Sequence, residues 1–230
     1  MSAGRQRYNA AVVIAIDGPS GAGKGTVARQ VAERLGYRHV DTGAMYRAVA
    51  WAAAERGVPL DDEPAVARLA ERAAIEVDAT RVAIDGVDVT AAIRTPAVDR
   101  TASQVARLPA VREILVERQR AMAGDGHLVM EGRDIGTVVF PDAPVKVYLD
   151  ADPAERARRR AHDPAHQSGS HSVAAVATAL ADRDAADRSR ATSPLAKAAD
   201  AVHLDTTRLS IAEVVSRVLA LVERRQGPRG

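Results

Sequence analysis

The stretch Gly18-Pro19-Ser20-Gly21-Ala22-Gly23-Lys24-Gly25-Thr26 carries the clearest chemistry in the chain. Glycines at this spacing let successive backbone N–H groups turn inward around phosphate oxygens, and a lysine at the end of the run neutralises the β and γ phosphates of a nucleotide. A plain glycine turn would leave Lys24 unexplained. ATP is therefore the expected co-substrate. The general form of this phosphate loop sets Ser or Thr directly after the lysine to hold magnesium, whereas here Gly25 comes first and Thr26 second. Mg2+ is accordingly expected to rest on phosphates and waters, as that ion tolerates. Asp41 and Glu131 are acids that can orient those waters, or equally cap helices or pair with arginines.

A phosphate loop that donates a phosphoryl group to a second phosphate needs a facing cationic site, because two polyanions must meet against their repulsion. Of 32 basic residues only Lys24, Lys146 and Lys197 are lysines. The planar, permanently charged fork of arginine suits paired phosphate oxygens. An Arg-rich, Ala-rich composition can also reflect genomic base bias, so position has to decide. Candidates are Arg47, Arg112, Arg133, the run Arg156, Arg158, Arg159, Arg160, and Arg183, Arg188 and Arg190. A lone surface arginine is ordinarily a solvated helix face; grouping sets these apart.

These side chains need a scaffold. Val12 to Ile16 is a continuous apolar run, as expected of a parallel strand covered on both faces, and a helix with Val27, Val31 and Leu35 at helical spacing follows the loop and stops at Gly36. A strand through Val40 leads to a helix from about Ala44 to Arg56. The middle differs: Ile75–Asp78, Val82–Asp85 and Val87–Val89 alternate with period two across short turns, predicting a small antiparallel meander inserted into an α/β core. Helices are expected over Ala97–Arg107 and Val111–Met122. Leu128–Met130, Val145–Leu149 and Ala201–Leu204 read as further strands. The closing helix opens on a capping box, Ser210 with Glu213. Residues 162–172, with His162, His166 and His171, read as a mobile loop between Arg-rich helices; a histidine metal site there is less favoured than solvated histidines. The ends, 1–9 and 227–230, read as disordered tails.

Composition excludes several classes. There is no Cys, so disulfides, thiolate zinc sites and cysteine nucleophiles are ruled out together. The apolar stretch after Arg5 and Arg7 is cut short by Asp17 and Pro19, unlike a signal peptide, and no run approaches a membrane span. With one Trp, four Tyr and one Phe, an arginine stripe has little to stack nucleic-acid bases on. A cytoplasmic monomer with no nucleic-acid or membrane partner is expected.

The Gly-Lys-Gly-Thr form resembles that of nucleoside monophosphate kinases. More specifically, Asp17 to Thr26, Asp41 to Arg47, Ile93-Arg94-Thr95, Ala102-Ser103-Gln104-Val105-Ala106, Val111-Arg112-Glu113, the block from Gly132-Arg133-Asp134 to Pro141, and Arg183-Asp184 resemble the bacterial cytidylate kinases over residues 11 to 225. The resemblance implies a parallel five-stranded core (10–40, 108–155, 173–226), a monophosphate-binding lobe (41–107) with an antiparallel insert near 74–92, and a lid (156–172). It implies CMP and dCMP as acceptors. By match, Arg47, Arg133 and Arg190 hold acceptor and transferring phosphates. Arg183 and Asp187 lie near the ribose; Thr42 belongs to the acceptor side; Ser103, Arg112 and Asp134 face cytosine; and Arg159 reaches the ATP phosphates. Lys24, Arg133, Arg159 and Arg183 are the expected catalytic set. Asp134 can instead form a salt bridge with a neighbouring arginine. A kinase for UMP, AMP, shikimate or dephospho-coenzyme A shares the phosphate loop without needing Ser103, Arg112 and Asp134 together. An ATP-dependent nucleic-acid-binding regulator is the non-enzyme alternative.

Overall fold

The computed structural model of the chain describes residues 12–163 and 172–226. The expected tails, and residues 164–171 of the expected lid with His166 and His171, lie outside the described residues.

Five parallel strands form the main sheet: β1 Val13–Asp17, β2 Arg38–Asp41, β6 Leu128–Gly132, β7 Val145–Asp150 and β8 Val202–Asp205, in the order β2-β6-β1-β7-β8. All of β1 and β6 is buried because helices cover both faces of the sheet. On one face, α1 (Lys24–Leu35) and α8 (Ile211–Gln226) bring Val27, Val31, Val214 and Val218 against Ile14, Ile16, Val129 and Val147. On the other, Val116, Ile135 and Val139 close over Val13, Ala15, Val40 and Met130. The expected capping box opens α8: Ser210 N donates to Glu213 Oε2 at 2.8 Å, and Glu213 N donates back to Ser210 Oγ at 3.3 Å.

A second apolar cluster gathers the insert. It joins α2 (Thr42–Glu55), α3 (Glu63–Arg72), α4 (Pro96–Val105) and strands β3 (Ile75–Val77) and β4 (Val82–Ile84) of an antiparallel sheet whose third strand is the exposed β5 (Val87–Asp88). Its centre is Met45, Val49, Val66, Ile84 and Ile93, and α5 (Pro109–Ala121) adds Val111 and Leu115. The meander is thus where its period-two pattern put it. Helix α3 has no counterpart among the expected elements, although Asp62 caps it by accepting from Ala65 N at 2.9 Å and Val66, Leu69 and Ala70 are buried along one stripe. Helix α2 starts at Thr42 rather than Ala44, because Asp41 caps it through Oδ1 and Ala44 N at 3.1 Å. The π-helical turn Ile135–Val139 was likewise not foreseen.

Strand register sets the site. Asp17 aligns with Gly132 and Asp41 with Glu131, so two strand-ending acids and the penultimate Glu131 of β6 gather at one edge. In open α/β sheets that carboxyl edge is where ligands bind. Helices α6 (Pro153–Ala161) and α7 (Val173–Arg188) stand above it.

Candidate active site

A cleft of about 630 Å³ runs from the loop between β1 and α1 to the insert. The loop is bent by residues no side chain could replace. Gly18 has φ +146°, and a Cβ there would fall 1.9 Å from Leu149 O. Gly23 holds φ 88° at the start of α1, with no side-chain cap, which leaves the helix N-terminus and its N–H groups facing the cleft. Ser20, Gly21, Gly25 and Thr26 line the same wall, whereas Gly18, Pro19 and Ala22 do not line the cleft. A Cβ on Gly25 would sit 3.1 Å from Glu131 Oε1, so the position that carries a hydroxyl in the general loop is here crowded by a carboxylate.

Lys24 is buried and donates to Pro19 O at 2.7 Å. Burial, seconded by the charge of Arg133, pushes its ammonium down to about 7. A cation so placed gains from any phosphate brought to it.

The loop is tied to α6 and α7 by a buried pair. Arg156 binds Asp184 and donates to Ser20 O at 3.1 Å and Ala151 O at 3.1 Å. Arg156 is therefore a strut of the loop and does not line the cleft. Arg158 is exposed and paired with Glu155. Arg159 does face the cleft: it donates to Glu155 Oε1 at 2.8 Å, Thr206 Oγ1 at 2.9 Å and Thr206 O at 2.7 Å, with Nη1 4.0 Å from where a Cβ on Gly23 would be.

Opposite the loop stands a group of guanidinium ions held by carboxylates. Arg47 meets Asp41 Oδ2 at 2.6 Å. Asp187, buried in α7, gives one oxygen to Arg133 Nε at 2.9 Å and the other to Arg190. Arg183 reaches only Asp99 Oδ1, at 3.4 Å, among the described residues. Among the described residues, the Nε atoms of Arg47, Arg112, Arg183 and Arg190 are buried without a partner. Burial and the neighbouring Arg133 push Arg183 down to about 10. Crowded cations with unsatisfied buried donors are a receptor for anions. Arg188, by contrast, does not line the cleft.

At the far end, Arg112 pairs with Asp134, donates to Ala106 O at 3.1 Å and lies 5.4 Å from the centre of the Tyr46 ring. The salt bridge weighed for Asp134 from sequence is thus formed, through Oδ2, and Asp134 lines the same cleft as Ser103. Asp17 presents this pair: its oxygens accept from Ile135 N at 2.8 Å and Gly136 N at 2.7 Å, fixing the backbone that follows Asp134. Thr42 Oγ1 is spent on Glu131 O at 2.7 Å. Sequence reasoning missed His39, whose Nε2 lies 3.1 Å from Glu131 Oε1, and Asp99; neither belongs to a motif, and both are revealed only by contacts between distant segments of the chain.

Among the described residues, no three His, Cys, Asp or Glu side chains are grouped to hold a metal ion. Glu131 and Asp41 do supply hard oxygen donors beside Gly25 and Gly43, a chemistry that fits the waters of a phosphate-bound magnesium. No helix among the described residues is long and apolar enough to cross a membrane.

Comparison with known proteins gives one family. The family model described as cytidylate kinase matches residues 14–224. A cytidylate kinase of Pelotomaculum thermopropionicum is 50% identical over 214 residues, covering 91% of this chain and 95% of that protein. One of Desulfitobacterium hafniense is 50% identical over 211 residues, covering 90% and 91%. Among solved structures, an uncharacterized protein from Eubacterium ventriosum shares the fold at 11% identity, with a TM-score of 0.53 over 93% of this chain and 99% of that one.

Proposed function

The chain belongs to the cytidylate kinase family, and we propose that it transfers the γ-phosphoryl group of ATP to CMP or dCMP, giving CDP or dCDP and ADP, with the phosphate loop as donor site and the facing arginines as acceptor site. The observation that carries this assignment of sites is the pairing of two arrays across one cleft: Lys24 with the open N-terminus of α1 on one side, and arginines with unpartnered buried Nε atoms on the other.

An oxygen of the CMP phosphate attacks the γ phosphorus in line; that P–O bond forms as the bond to the bridging β oxygen breaks, and ADP leaves. The attacking oxygen is already anionic at neutral pH, so no general base is required and catalysis is positioning plus charge neutralisation. Lys24 and Arg159 serve the donor phosphates. Arg47 and Arg190 hold the acceptor phosphate, and Arg133 and Arg183 meet the charge on the group in flight. Glu131 and Asp41 would hold the waters of a bound magnesium, which would supply further neutralisation of phosphate charge.

Asp134 Oδ1 is suited to accept from the exocyclic amine of cytosine, and Arg112, with a spare Nε, to donate to the ring acceptors. Uracil turns a carbonyl toward the carboxylate, and an unpaired buried acceptor costs about 1–3 kcal/mol. Arg183 and Asp187 would also lie near the ribose, as the family match suggests. We further propose the division into core, acceptor lobe (41–107) and lid (156–172), and a cytoplasmic monomer, since one chain supplies both halves of the site.

Steady-state rates with CMP, dCMP, UMP and AMP decide the matter. Turnover of CMP and dCMP well above UMP and AMP is expected; equal use of all four, or no CDP formed from CMP and ATP, refutes it.

A further inference from the structure

Asp99 lies in the first turn of α4, on the acceptor side, and the reaction as derived has no use for it. Its carboxylate nevertheless joins that lobe to two helices outside it. One oxygen pairs with Arg160 of α6 and the other stands 3.4 Å from Arg183 Nη1 of α7. Helix α4 is itself fixed against α2, so the bridge ties the acceptor lobe to the pair of helices that end and resume on either side of residues 164–171.

The two ends of the bridge are unequal. Arg160 makes a close contact, and Asp163 adds a second negative charge near it. Arg183 is held loosely: its contact with Asp99 is at the long limit of hydrogen bonding, and its Nε is buried with no partner among the described residues. Arg133 stands nearby as a repelling charge. A buried cation in that condition is poised to exchange a weak partner for a stronger anion. Of the other acceptor-side arginines, Arg47 is held closely by Asp41, and Arg133 and Arg190 by Asp187, so Arg183 is the one most easily reassigned.

We propose that Asp99 is a positioning residue: a built-in carboxylate that holds Arg160 and Arg183 across the lobe boundary and yields Arg183 to substrate phosphate. The identity of that phosphate rests on the cytidylate kinase reading above. Competition with Asp99 weakens ground-state anion binding, because a second negative charge stays close to the phosphate. It also makes Arg183 move over most completely when negative charge at the reacting centre is greatest, which turns its contact into one favouring the transition state.

The test is Asp99→Asn, which keeps the shape and removes the charge. Dissociation constants for CMP and for inorganic pyrophosphate, measured by calorimetry, are expected to fall roughly three- to tenfold. KM for CMP falls with them, while kcat falls too, since Arg183 and Arg160 lose their register. A purely structural role moves binding the other way, so unchanged or weaker pyrophosphate binding overturns the inference. Arg160→Met supplies an independent arm. It removes the nearer of the two guanidinium groups that Asp99 holds, so Asp99 competes more strongly for Arg183, and should weaken pyrophosphate binding in the wild-type background but not in the Asp99→Asn background. Equal weakening in both backgrounds means Arg160 itself takes the anion, and the inference fails. If Asp99→Asn does not fold, Asp99→Ser is measured in its place and the same signs decide. Failure of the wild type to phosphorylate CMP would refute the functional reading alone, because the pyrophosphate titration needs no acceptor.

Discussion

Asp17, the last residue of β1, accepts the backbone N–H of Gly136 at 2.7 Å, across 119 residues of sequence. With the bond from Ile135 N it anchors the turn that carries Arg133 and Asp134. Burial pushes the Asp17 carboxyl up to about 6 in spite of those two donors. A folded-state pKa above the unfolded value means the native state binds the extra proton. The stability so gained is whole below about 3.8 and is lost as pH rises through about 6. Asp17→Asn offers one acceptor oxygen to two N–H groups, so the variant should be less stable. Its deficit relative to wild type should shrink, on the order of 2 kcal/mol, between pH 4 and pH 7. Denaturant titrations at several pH values measure this; a deficit that grows with pH contradicts it.

Lys24 supplies a second pH-dependent outcome. With its ammonium pushed down to about 7 by burial, much of it is neutral at pH 8 before ligand arrives. ATP phosphates favour the charged form, so binding at pH 8 should take up close to one proton, and at pH 6 little. Calorimetry in two buffers of different ionisation enthalpy reads the uptake directly. Lys24→Met should abolish it and lower kcat by two or more orders of magnitude.

Asp187 holds Arg133 and Arg190 together from inside α7. Asp187→Asn leaves two buried guanidinium groups short of their counter-charge and should destabilise the fold by about 3–5 kcal/mol. Thermal unfolding gives the stability, and kcat/KM for CMP should fall even at temperatures where the variant is fully folded. Normal kcat/KM in the folded variant would remove Asp187 from the site.

Asp134→Asn tests base recognition. An amide can accept from cytosine or donate to uracil, so the CMP over UMP preference should drop about tenfold or more. Arg112 also loses its charged partner, and the melting temperature should fall. A specificity ratio that does not move would leave Asp134 as a salt-bridge partner only.

Arg156→Met separates support from chemistry. Its partners are Asp184 and the carbonyls of Ser20 and Ala151, none of them in the cleft's acceptor half. KM for ATP should rise with loss of stability, while the CMP dissociation constant stays within about twofold. Weaker CMP binding in a folded variant would show the loop and acceptor sites to be coupled through this strut.

The order of strands and helices, the phosphate loop and the antiparallel insert were legible in the sequence, because each rests on local rules: apolar runs for covered strands, helical spacing for α1 and α8, and a glycine pattern whose backbone chemistry needs no partner from elsewhere. Helix α3 escaped although Asp62 and its Val66–Leu69–Ala70 stripe announce it, being shadowed by the meander that follows. The roles of individual arginines were another matter. Arg156 and Arg159 are three residues apart on one helix, yet one is buried beneath the loop and the other faces the cleft. Which carboxylate each guanidinium meets depends on distances between segments far apart in sequence, as in the contact of Arg183 with Asp99, 84 residues away. Long-range electrostatic pairing has no sequence period, so Asp99, Asp184 and His39 acquired their partners only when the chain folded.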